Sequence, residues 1–434
     1  MFFPRISFAL VTILFFCSTC IHSFAQTTTA VVDNKLSLRD AISATLAKNP
    51  QLTSFEFRQQ ALAGELETAA LRPALNFNAT VENAAGSGDY TATKSAEITL
   101  ALSSVIELGD KRSAREAIVT ERQQALVTEQ RIVELDLLAE VTRRFIDVAR
   151  AQQQLMLRQS TLSLAADTTA SIKRRVNSGN TPDVELARAQ ANQARTAIEL
   201  RHAELNFDSS KIKLSALWGE TEPTFAAVKA DLFELDKSRT LNELLASLHD
   251  NPDILFFANE ARLKDAEVRL ALSKRNPDLE WNAGVRRLQA SKDSALVLGV
   301  SVPLFGGSRA SGEVATARAN RLSTDNERDV AILKMRAQLI GLHQERQAAL
   351  FEVETLRNEL IPQLKKAVNG TRVAFDKGRY SYFEFSTAQR ELLEAESILI
   401  EAAATTHLLR IEIERLSGTA TTSQHIDKAH KVSP

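Results

Sequence analysis

The chain carries the same order of sequence signals twice, and this internal repeat constrains its fold more than any other feature. The dipeptide Asn49-Pro50 returns as Asn251-Pro252, and a glycine turn at Gly179 returns at Gly378. A repeat this long indicates duplicated architecture, so each half is expected to hold the same elements. The predicted units are a first repeat at residues 26–219, a linker at 220–238, a second repeat at 239–418 and a flexible tail at 419–434.

Residues 1–25 have the features of an export signal. Arg5 supplies the positive start, a short apolar stretch follows, and a small-x-small pattern predicts cleavage between Ala25 and Gln26. Lipidation at Cys20 is the less favoured alternative, because the residue before it is larger than lipoprotein processing usually accepts. Both cysteines precede the cleavage site, so the exported chain is expected to rely on packing or assembly instead of disulfides.

Charge and hydropathy exclude some partners and leave others open. The chain has 53 Lys and Arg against 54 Asp and Glu, which argues against nucleic acid as a partner. No segment after the signal is apolar for long enough to predict a membrane-spanning helix. A transmembrane strand needs only about ten residues with every second one apolar, so strands keep a membrane location open.

Most of the sequence is rich in residues that favour helices, and the helices are predicted to be long. Residues 114–175 contain no Pro or Gly, which predicts a rod of about 95 Å. Apolar residues recur at every seventh position, as in helices that supercoil against neighbours. Arg346 interrupts a companion row formed by Ile332, Leu339, Val353 and Leu360, and it is interpreted as a solvated or lumen-facing charge. The rows are Ile118, Ala125, Ile132, Ala139 and Ile146; Val184, Ala191, Ile198, Leu205 and Ile212; and Met335, Leu342, Ala349 and Leu356.

Four short segments alternate apolar and polar residues, which predicts strands with one apolar face. Turn-like sequences join them in pairs, so each half is expected to carry one strand hairpin between long helices. Phe77 and Trp281 fit either a lipid-facing band or ordinary packing on such a face. The predicted strands are residues 74–83, 94–104, 278–287 and 294–304.

Four strands per chain are too few to form a closed β-barrel. They cannot close a barrel alone, and an open sheet edge cannot face lipid. Either the sheet packs as a soluble layer or copies of the chain share their strands. The expected fold class is mainly α with a small β part: duplicated long-helix coiled coils plus four transmembrane strands per chain, closing as a trimeric 12-strand β-barrel on an α-helical barrel.

The duplicated order, the paired glycine turns and the export signal together resemble the TolC-type outer-membrane efflux proteins, over nearly all of the exported chain. Part of this likeness is the Ala-Gln pair that follows each turn, at Ala189-Gln190 and Ala388-Gln389. Three stretches resemble the cation-efflux (CzcC-like) branch of that family. They are residues 106–112, 178–185 and 377–384.

The resemblance implies a homotrimeric exit duct in the cell outer membrane that extends into the periplasm. The implied partners are outer-membrane lipid, a periplasmic adaptor (membrane fusion) protein and a proton-driven inner-membrane RND-type pump. Helix-turn-helix tips near 177–182 and 376–381 are implied to dock the adaptor and to gate the duct. The implied docking residues are Gly179, Asn180, Thr181, Pro182, Gly378, Arg379 and Tyr380. The candidate gate residues are Arg175, Asp183, Tyr382, Glu384 and Phe385.

The tips also carry local predictions and one departure from the family. Gly179 and Gly378 fit left-handed helix C-caps, and Thr181-Pro182-Asp183 fits the start of the following helix. Some family members place a ring of aspartates after the second tip, whereas Glu384 is the one nearby carboxylate here. The aspartate ring therefore does not carry over, and the neighbouring aromatic residues become the hypothesis for closing the entrance.

Metal sites, cofactors and enzymatic activity are not predicted. The histidines after the signal do not pair with other ligands at zinc or copper spacing, and phosphate-loop, zinc-protease and nucleophile motifs are missing from the sequence. A duct that bound its cargo tightly would pass it slowly, so the lack of a site does not discriminate metal export from drug export. The likeness to the cation-efflux branch implies heavy-metal cations as the cargo, with drug efflux or type I secretion as the alternative. The alternative from another class is a periplasmic coiled-coil structural or adaptor protein.

Overall fold

The computed structural model describes residues 34–236 and 239–418. Helices dominate this part of the chain, so the mainly helical fold class is confirmed. The predicted export signal with Cys20, the cleavage site between Ala25 and Gln26, and the tail at 419–434 lie outside the described residues. Among the helices that the structure describes, none is long and apolar enough to cross a membrane.

Long helices organise the described chain, with shorter helices packed along them. The helices are α1 (Leu38–Lys48), α2 (Pro50–Ala70), α3 (Lys111–Asn177), α4 (Asp183–Ser215), α5 (Leu241–Ser247), α6 (Pro252–Ser273), α7 (Gly306–Arg309), α8 (Ser311–Thr355), α9 (Ile361–Asp376) and α10 (Tyr382–Ser417). The strands are β1 (Lys35–Leu36), β2 (Asn76–Glu82), β3 (Glu97–Ile106), β4 (Ala227–Val228), β5 (Leu279–Leu288) and β6 (Asp293–Ser301). With 67 residues, α3 is about 100 Å long and packs along α2, α4, α6 and α10.

The rod formed by α8 and α9 contains a π-helical turn at Leu356–Leu360. Pro362 lies just beyond this turn. Proline lacks the N–H of the helical ladder, and its ring clashes with the carbonyl four residues earlier. A wider turn relieves that clash without ending the rod, because its hydrogen bonds skip one further residue.

The repeated Asn-Pro dipeptides join helices that are distant in the chain. The Asn49 side chain caps α2 by accepting from the Gln51 amide (2.9 Å), and its amide nitrogen donates to the Leu217 carbonyl (2.9 Å). Asn251 repeats the arrangement at the start of α6, donating to the Leu416 carbonyl at 2.6 Å. In each half, one buried asparagine therefore satisfies both a helix N-terminus and the end of a helix from far along the chain.

The longer strands form an antiparallel sheet with order β2-β3-β5-β6 in the part of the chain that the structure describes. One face is apolar and open: Phe77 is 66% exposed and Leu298 is 70% exposed. On the other face Arg286 donates to Thr99 (3.0 Å) and to Glu97 (2.9 Å). Both outer strands, β2 and β6, have an edge without a partner strand among the described residues.

The described part of the predicted linker, residues 220–236, packs against the helices as a strap. β4 pairs in parallel with β1. Phe225, Val228 and Leu232 are buried in the main hydrophobic core with residues of α1, α3 and α10. The strap therefore ties the start of the first repeat to helices of both repeats.

Arg346 holds this strap, and the interpretation of it as a solvated or lumen-facing charge is wrong. Arg346 is 5% exposed, and its guanidinium donates to the Asp236 carbonyl at 2.9 Å. Burial and the nearby Arg410 lower the pKa of Arg346. The heptad pattern of α8 alone does not reveal that a distant segment covers this position.

The strap also predicts a stability that depends on pH, through His407. This residue is 7% exposed, and its Nε2 lies 3.1 Å from the Leu232 carbonyl. Burial, Arg410 and Arg346 lower its pKa, although the Leu232 carbonyl and Asp236 favour the charged ring. Below about pH 6.5, His407 is protonated in the unfolded chain but stays neutral in the folded chain. The free energy of unfolding therefore falls as the pH is lowered, by up to about 1.4 kcal/mol per pH unit, until the pH reaches the pKa of His407 in the folded chain.

Thermal unfolding of the wild type and of His407→Gln, at pH 7.5 and pH 5.0, measures this effect. The wild type is expected to lose more stability on acidification than the variant does, because glutamine does not titrate. Equal losses in both proteins would show that His407 does not contribute.

Candidate functional site

The two helix-turn-helix tips have the same backbone geometry. At the first tip the Gly179 amide donates to the Val176 carbonyl and the Asn180 amide to the Arg175 carbonyl, both at 2.9 Å. At the second tip Gly378 and Arg379 make the equivalent bonds at the same distance. The two glycines have φ of 72° and 69°, so both predicted left-handed caps are confirmed.

The start of the following helix differs slightly from the prediction. Pro182 is the N-cap of α4 and Asp183 its first helical residue, whereas the sequence pattern places the cap at Thr181. A residue before proline is pushed toward extended backbone, and here Pro182 itself also stays extended, with ψ of 146°. Thr181 is buried instead of serving as the cap.

Arg175 connects the two tips. It extends from the last turn of α3 and donates to the Phe375 carbonyl at the end of α9 (2.8 Å). Its guanidinium also lies over the Phe375 ring, 4.6 Å from the ring centroid. A charged hydrogen bond and a cation–π contact thus join hairpin α3–α4 to hairpin α9–α10 at one residue.

A small apolar cluster lies directly behind this contact. The Phe375 and Phe385 rings stack with centroids 5.6 Å apart and planes 12° apart. Tyr382 and Phe385 are each 4% exposed. The aromatic gate candidates therefore fill the space between the two hairpins of one protomer. The buried members of the cluster are Ile172, Ala189, Phe375, Tyr382 and Phe385.

The carboxylates of the tips lie at helix N-termini. The Glu384 carboxylate accepts from the Ser381 amide (3.0 Å) and hydroxyl, and these bonds lower its pKa. Glu185 accepts weakly from the Tyr382 amide, at 3.5 Å. Burial raises the pKa of the Tyr382 phenol, against the opposing effect of a hydrogen bond with Asn192. Negative charge here is matched to the positive ends of α4 and α10.

The predicted docking residues lie at the surface of the tips, apart from the buried Thr181. Those with exposed positions are Gly179, Asn180, Pro182, Gly378, Arg379 and Tyr380. Asp183 is also exposed, beside them. The structure thus separates the predicted residues into an exposed rim, the half-buried Arg175, and the buried Thr181, Tyr382 and Phe385.

Phe375 is the central residue of the cluster, and it is not among the residues predicted from the sequence. It lies three residues before Gly378, where the first repeat has Val176 before Gly179. Aligning the two repeats shows an apolar residue at this position in both copies. Such a residue commonly packs against the chain that follows a glycine cap.

Metal-ligating side chains do not gather anywhere in the described ranges. Across residues 34–236 and 239–418, no group of three or more His, Cys, Asp or Glu side chains is placed to hold a metal ion.

Substitution of the tip glycines is expected to destabilise the tips through the backbone. Gly378→Ala forces a residue with a Cβ into a left-handed conformation, at a cost of about 1–2 kcal/mol. The added Cβ would meet Arg175 at 3.8 Å, an ordinary contact, so sterics add little. Gly370→Ala is the matched control, because it lies within α9 with open space around it and is expected to stabilise by about 0.5–1 kcal/mol. Urea unfolding of both variants measures the effects; equal signs would contradict the backbone explanation.

Residues 41–220 and 244–419 match the family described as outer membrane efflux protein, and the chain belongs to that family. It is accordingly an outer-membrane protein that extends into the periplasm, in a family of efflux proteins rather than enzymes. The chain is 26% identical over 384 residues to the cobalt-zinc-cadmium resistance protein CzcC of Cupriavidus metallidurans, across 88% of this chain and 90% of that protein.

Solved structures share the fold. Crystal structures of CusC match with a TM-score of 0.73 and 16% identity, over 90% of this chain and 93% of that chain. The outer membrane protein VceC from Vibrio cholerae matches with a TM-score of 0.68 and 18% identity, over 88% of this chain and 96% of that chain.

Proposed function

We propose that this chain is one protomer of a homotrimeric exit duct in a tripartite efflux system that exports heavy-metal cations. In this proposal a periplasmic adaptor links the duct to a proton-driven RND-type pump in the inner membrane. The family membership supports the duct. The likeness to a protein named for cobalt, zinc and cadmium resistance favours metal cations over drugs or secreted proteins.

The main support for a trimer is that the described protomer leaves apolar and hydrogen-bonding surfaces uncovered. The sheet has two open edges, and an apolar row runs along α4 at heptad spacing with its side chains in solvent. Val184 is 56% exposed, Ile198 59% and Leu205 51%. Such a row fits the seam between supercoiled helices. Further copies would cover the row and pair the sheet edges, giving twelve strands in a closed barrel.

The tips are proposed to dock the adaptor and to gate the duct. The exposed rim offers a surface to a partner, while the cluster around Phe375 holds the two hairpins of a protomer together. Gating in this proposal depends on the packing between hairpins, since Tyr382 and Phe385 are buried. Single-channel conductance of Tyr382→Ala and Phe385→Ala tests it, and wild-type conductance in both variants would contradict a gating role.

Deleting the gene and measuring growth on a panel of metals, dyes and antibiotics tests the substrate. Increased sensitivity to divalent transition-metal cations alone supports metal export. Sensitivity to dyes and antibiotics without metals would favour drug efflux by the same kind of duct.

Membrane fractionation and chemical cross-linking in cells test the assembly and its partners. We expect the protein in the outer-membrane fraction as a heat-modifiable trimer, with a periplasmic adaptor co-purifying after cross-linking. A soluble, heat-insensitive monomer would favour the periplasmic structural protein instead.

A further inference from the structure

One charged side chain, Arg287, lies on the apolar face of the sheet formed by β2, β3, β5 and β6. Paired residues of neighbouring strands share a face, and Arg287 pairs with Ile98 of β3 and Ser294 of β6. Apart from Ser104 and Ser294, the other residues on this face of the four strands are apolar. Arg287 is therefore an exception that the alternating pattern of the strands does not explain.

The preceding residue, Arg286, points to the opposite face and is paired there. It forms ion pairs with Glu97 at 2.9 Å and with Glu82 at 3.3 Å. Arg287 is exposed and forms no ion pair with the described residues. Its guanidinium makes one long hydrogen bond, to the Ser294 hydroxyl at 3.5 Å. The guanidinium has five N–H donors, so most of them are left to bond an acceptor from outside the chain.

Arg287 lies at one border of the apolar face. Both strand hairpins turn at its end of the sheet, and the long helices leave from the other end. Since the helices extend into the periplasm, the turns face the cell exterior. From Leu279 to Arg287, β5 covers about 27 Å of strand, or about 21 Å of height at a tilt of about 40°. The apolar band of an outer-membrane barrel is about 25 Å tall, which puts Arg287 near the headgroups of the outer leaflet.

A solvated arginine at the membrane border is the simple explanation for this position. A charge on the lipid-facing side is destabilising near the middle of the bilayer and nearly neutral at its border. This explains why Arg287 is tolerated, but it gives no reason for further positive charge beside it.

The two turns next to Arg287 add that further positive charge. Lys94 and Lys292 are both exposed and form no ion pair with any residue in the described ranges. The two hairpins are joined here by a hydrogen bond from the Gln289 amide to the Ala96 carbonyl, at 2.9 Å. Asp89 offsets part of the charge, whereas Asp293 pairs with Leu288 and so lies on the opposite face. The lipid side of this border is therefore positive and suited to an anion.

We propose that Arg287, assisted by Lys94 and Lys292, binds a phosphate group on the headgroup of a lipid in the outer leaflet. The inference rests on the proposed function, since it requires the apolar face of the sheet to contact lipid. A guanidinium can donate to two oxygens of one phosphate, and the ammonium groups add charge without that geometry. The acyl chains of the same lipid then cover Ile98 and Val81, which share the row of Arg287 and are 43% and 62% exposed. Binding of this kind fixes the depth of the strands in the bilayer.

The test titrates the purified protein, in a constant concentration of detergent, with diphosphorylated lipid A. The lipid concentration that gives half of the full rise in melting temperature measures the apparent affinity. Arg287→Gln is expected to weaken binding about tenfold, because it removes a charged pair of hydrogen bonds. Arg287→Lys is expected to lose less, since it keeps the charge but not the forked geometry. Lys292→Gln, which lies outside the strands, is expected to weaken binding about threefold at low salt and less at high salt.

Controls are available for both the protein and the lipid. Arg309→Gln removes the same charge from an exposed position at the other end of the sheet, and wild-type affinity is expected. A phosphate-free glycolipid is expected to bind the wild type and Arg287→Gln equally. Inorganic phosphate alone, at the concentrations used for lipid A, is expected to leave the melting temperature unchanged. The melting temperature and trimer content of each variant without lipid show that it is folded.

The outcomes separate this inference from the function on which it rests. If Arg287→Gln binds lipid A as tightly as the wild type, the inference fails and the duct function stands, because a duct does not require a bound headgroup. If Arg309→Gln weakens binding equally, general charge attraction explains the effect and the inference fails. If inorganic phosphate raises the melting temperature as much as lipid A does, the ligand is the free ion and the lipid assignment is wrong. If the protein is soluble without detergent, the proposed function fails together with the inference.

Discussion

Replacing Arg415 with methionine is expected to lower the free energy of unfolding by about 2–4 kcal/mol. The Arg415 side chain is 13% exposed and donates to Asp136 of α3 and to Asp253 of α6, each at 2.5 Å. Burial alone would lower its pKa, but the bonds to both carboxylates raise it above the ordinary value. Removing the guanidinium leaves two carboxylates facing each other without their cation; Asp136 is half exposed, which moderates the loss.

Urea unfolding of the purified protein measures this effect, with Arg201→Met as the control. Arg201 forms a comparable pair with Glu204 at 3.0 Å, but its side chain is 69% exposed, so a loss of less than about 0.5 kcal/mol is expected. A double-mutant cycle with Asp253→Asn isolates the pair itself. A loss at Arg415 no larger than at Arg201 would show that the three-helix junction is held by its apolar contacts alone.

This junction also shows where the two repeats have diverged. Leu416-Ser417-Gly418 corresponds to Leu217-Trp218-Gly219, so Arg415 stands where the first repeat has Ala216. Both repeats keep the asparagine that caps one helix and satisfies another. At this position the second repeat adds the ion pairs of Arg415, one of them with Asp136 of α3. The duplicated sequence predicts the shared caps but not the added ion pairs.

Periodicity made the helices and strands of this chain readable from sequence. The absence of Pro and Gly over residues 114–175 indicated a single rod, and α3 covers that whole range. Alternation indicated the strands, because a half-exposed sheet has a period of two. The π-helical turn at Leu356–Leu360 is not among the predicted elements, although Pro362 indicates a distortion of the helix at this point.

Long-range packing was not readable in the same way. The strap buries Leu232 beside His407, 175 residues away in the chain, and nothing in the local pattern of either segment indicates the other. The burial of Arg346 within an apolar row could not be predicted, because its acceptor is the Asp236 carbonyl of that distant strap. Every residue has a backbone carbonyl, so the residue type does not show which carbonyl will accept a hydrogen bond from a distant side chain.

The candidate site was partly readable. Both glycine turns were found because a left-handed cap strongly favours glycine. The contact of Arg175 with Phe375 could not be predicted from the sequence, because it joins residues of two different hairpins. The sequence placed Tyr382 and Phe385 as aromatic residues that close an entrance. The structure buries both inside the protomer, which moves the proposed gate from the lining of the duct to the contact between hairpins.

In the proposed trimeric duct, replacing Arg175 with glutamine is expected to raise the resting conductance at least tenfold. The substitution removes the cation–π contact with Phe375 and weakens the hydrogen bond to its carbonyl, together worth about 2 kcal/mol per protomer. If three protomers open in concert, the loss is about 6 kcal/mol per duct, or about 10⁴-fold in the ratio of open to closed forms. A resting duct that is closed by a wide margin therefore becomes measurably open.

Single-channel recording of purified trimers in planar lipid bilayers measures the change, and Arg174→Gln is the matched control. Arg174 is the preceding residue of α3 and carries the same charge, but its side chain is exposed and makes no ion pair or hydrogen bond with the described residues. A loss of surface charge alone would affect both variants equally, whereas loss of the contact between hairpins affects only Arg175→Gln. Wild-type conductance in Arg175→Gln, with the trimer intact, would mean that the hairpins are held closed by contacts between protomers and not within one.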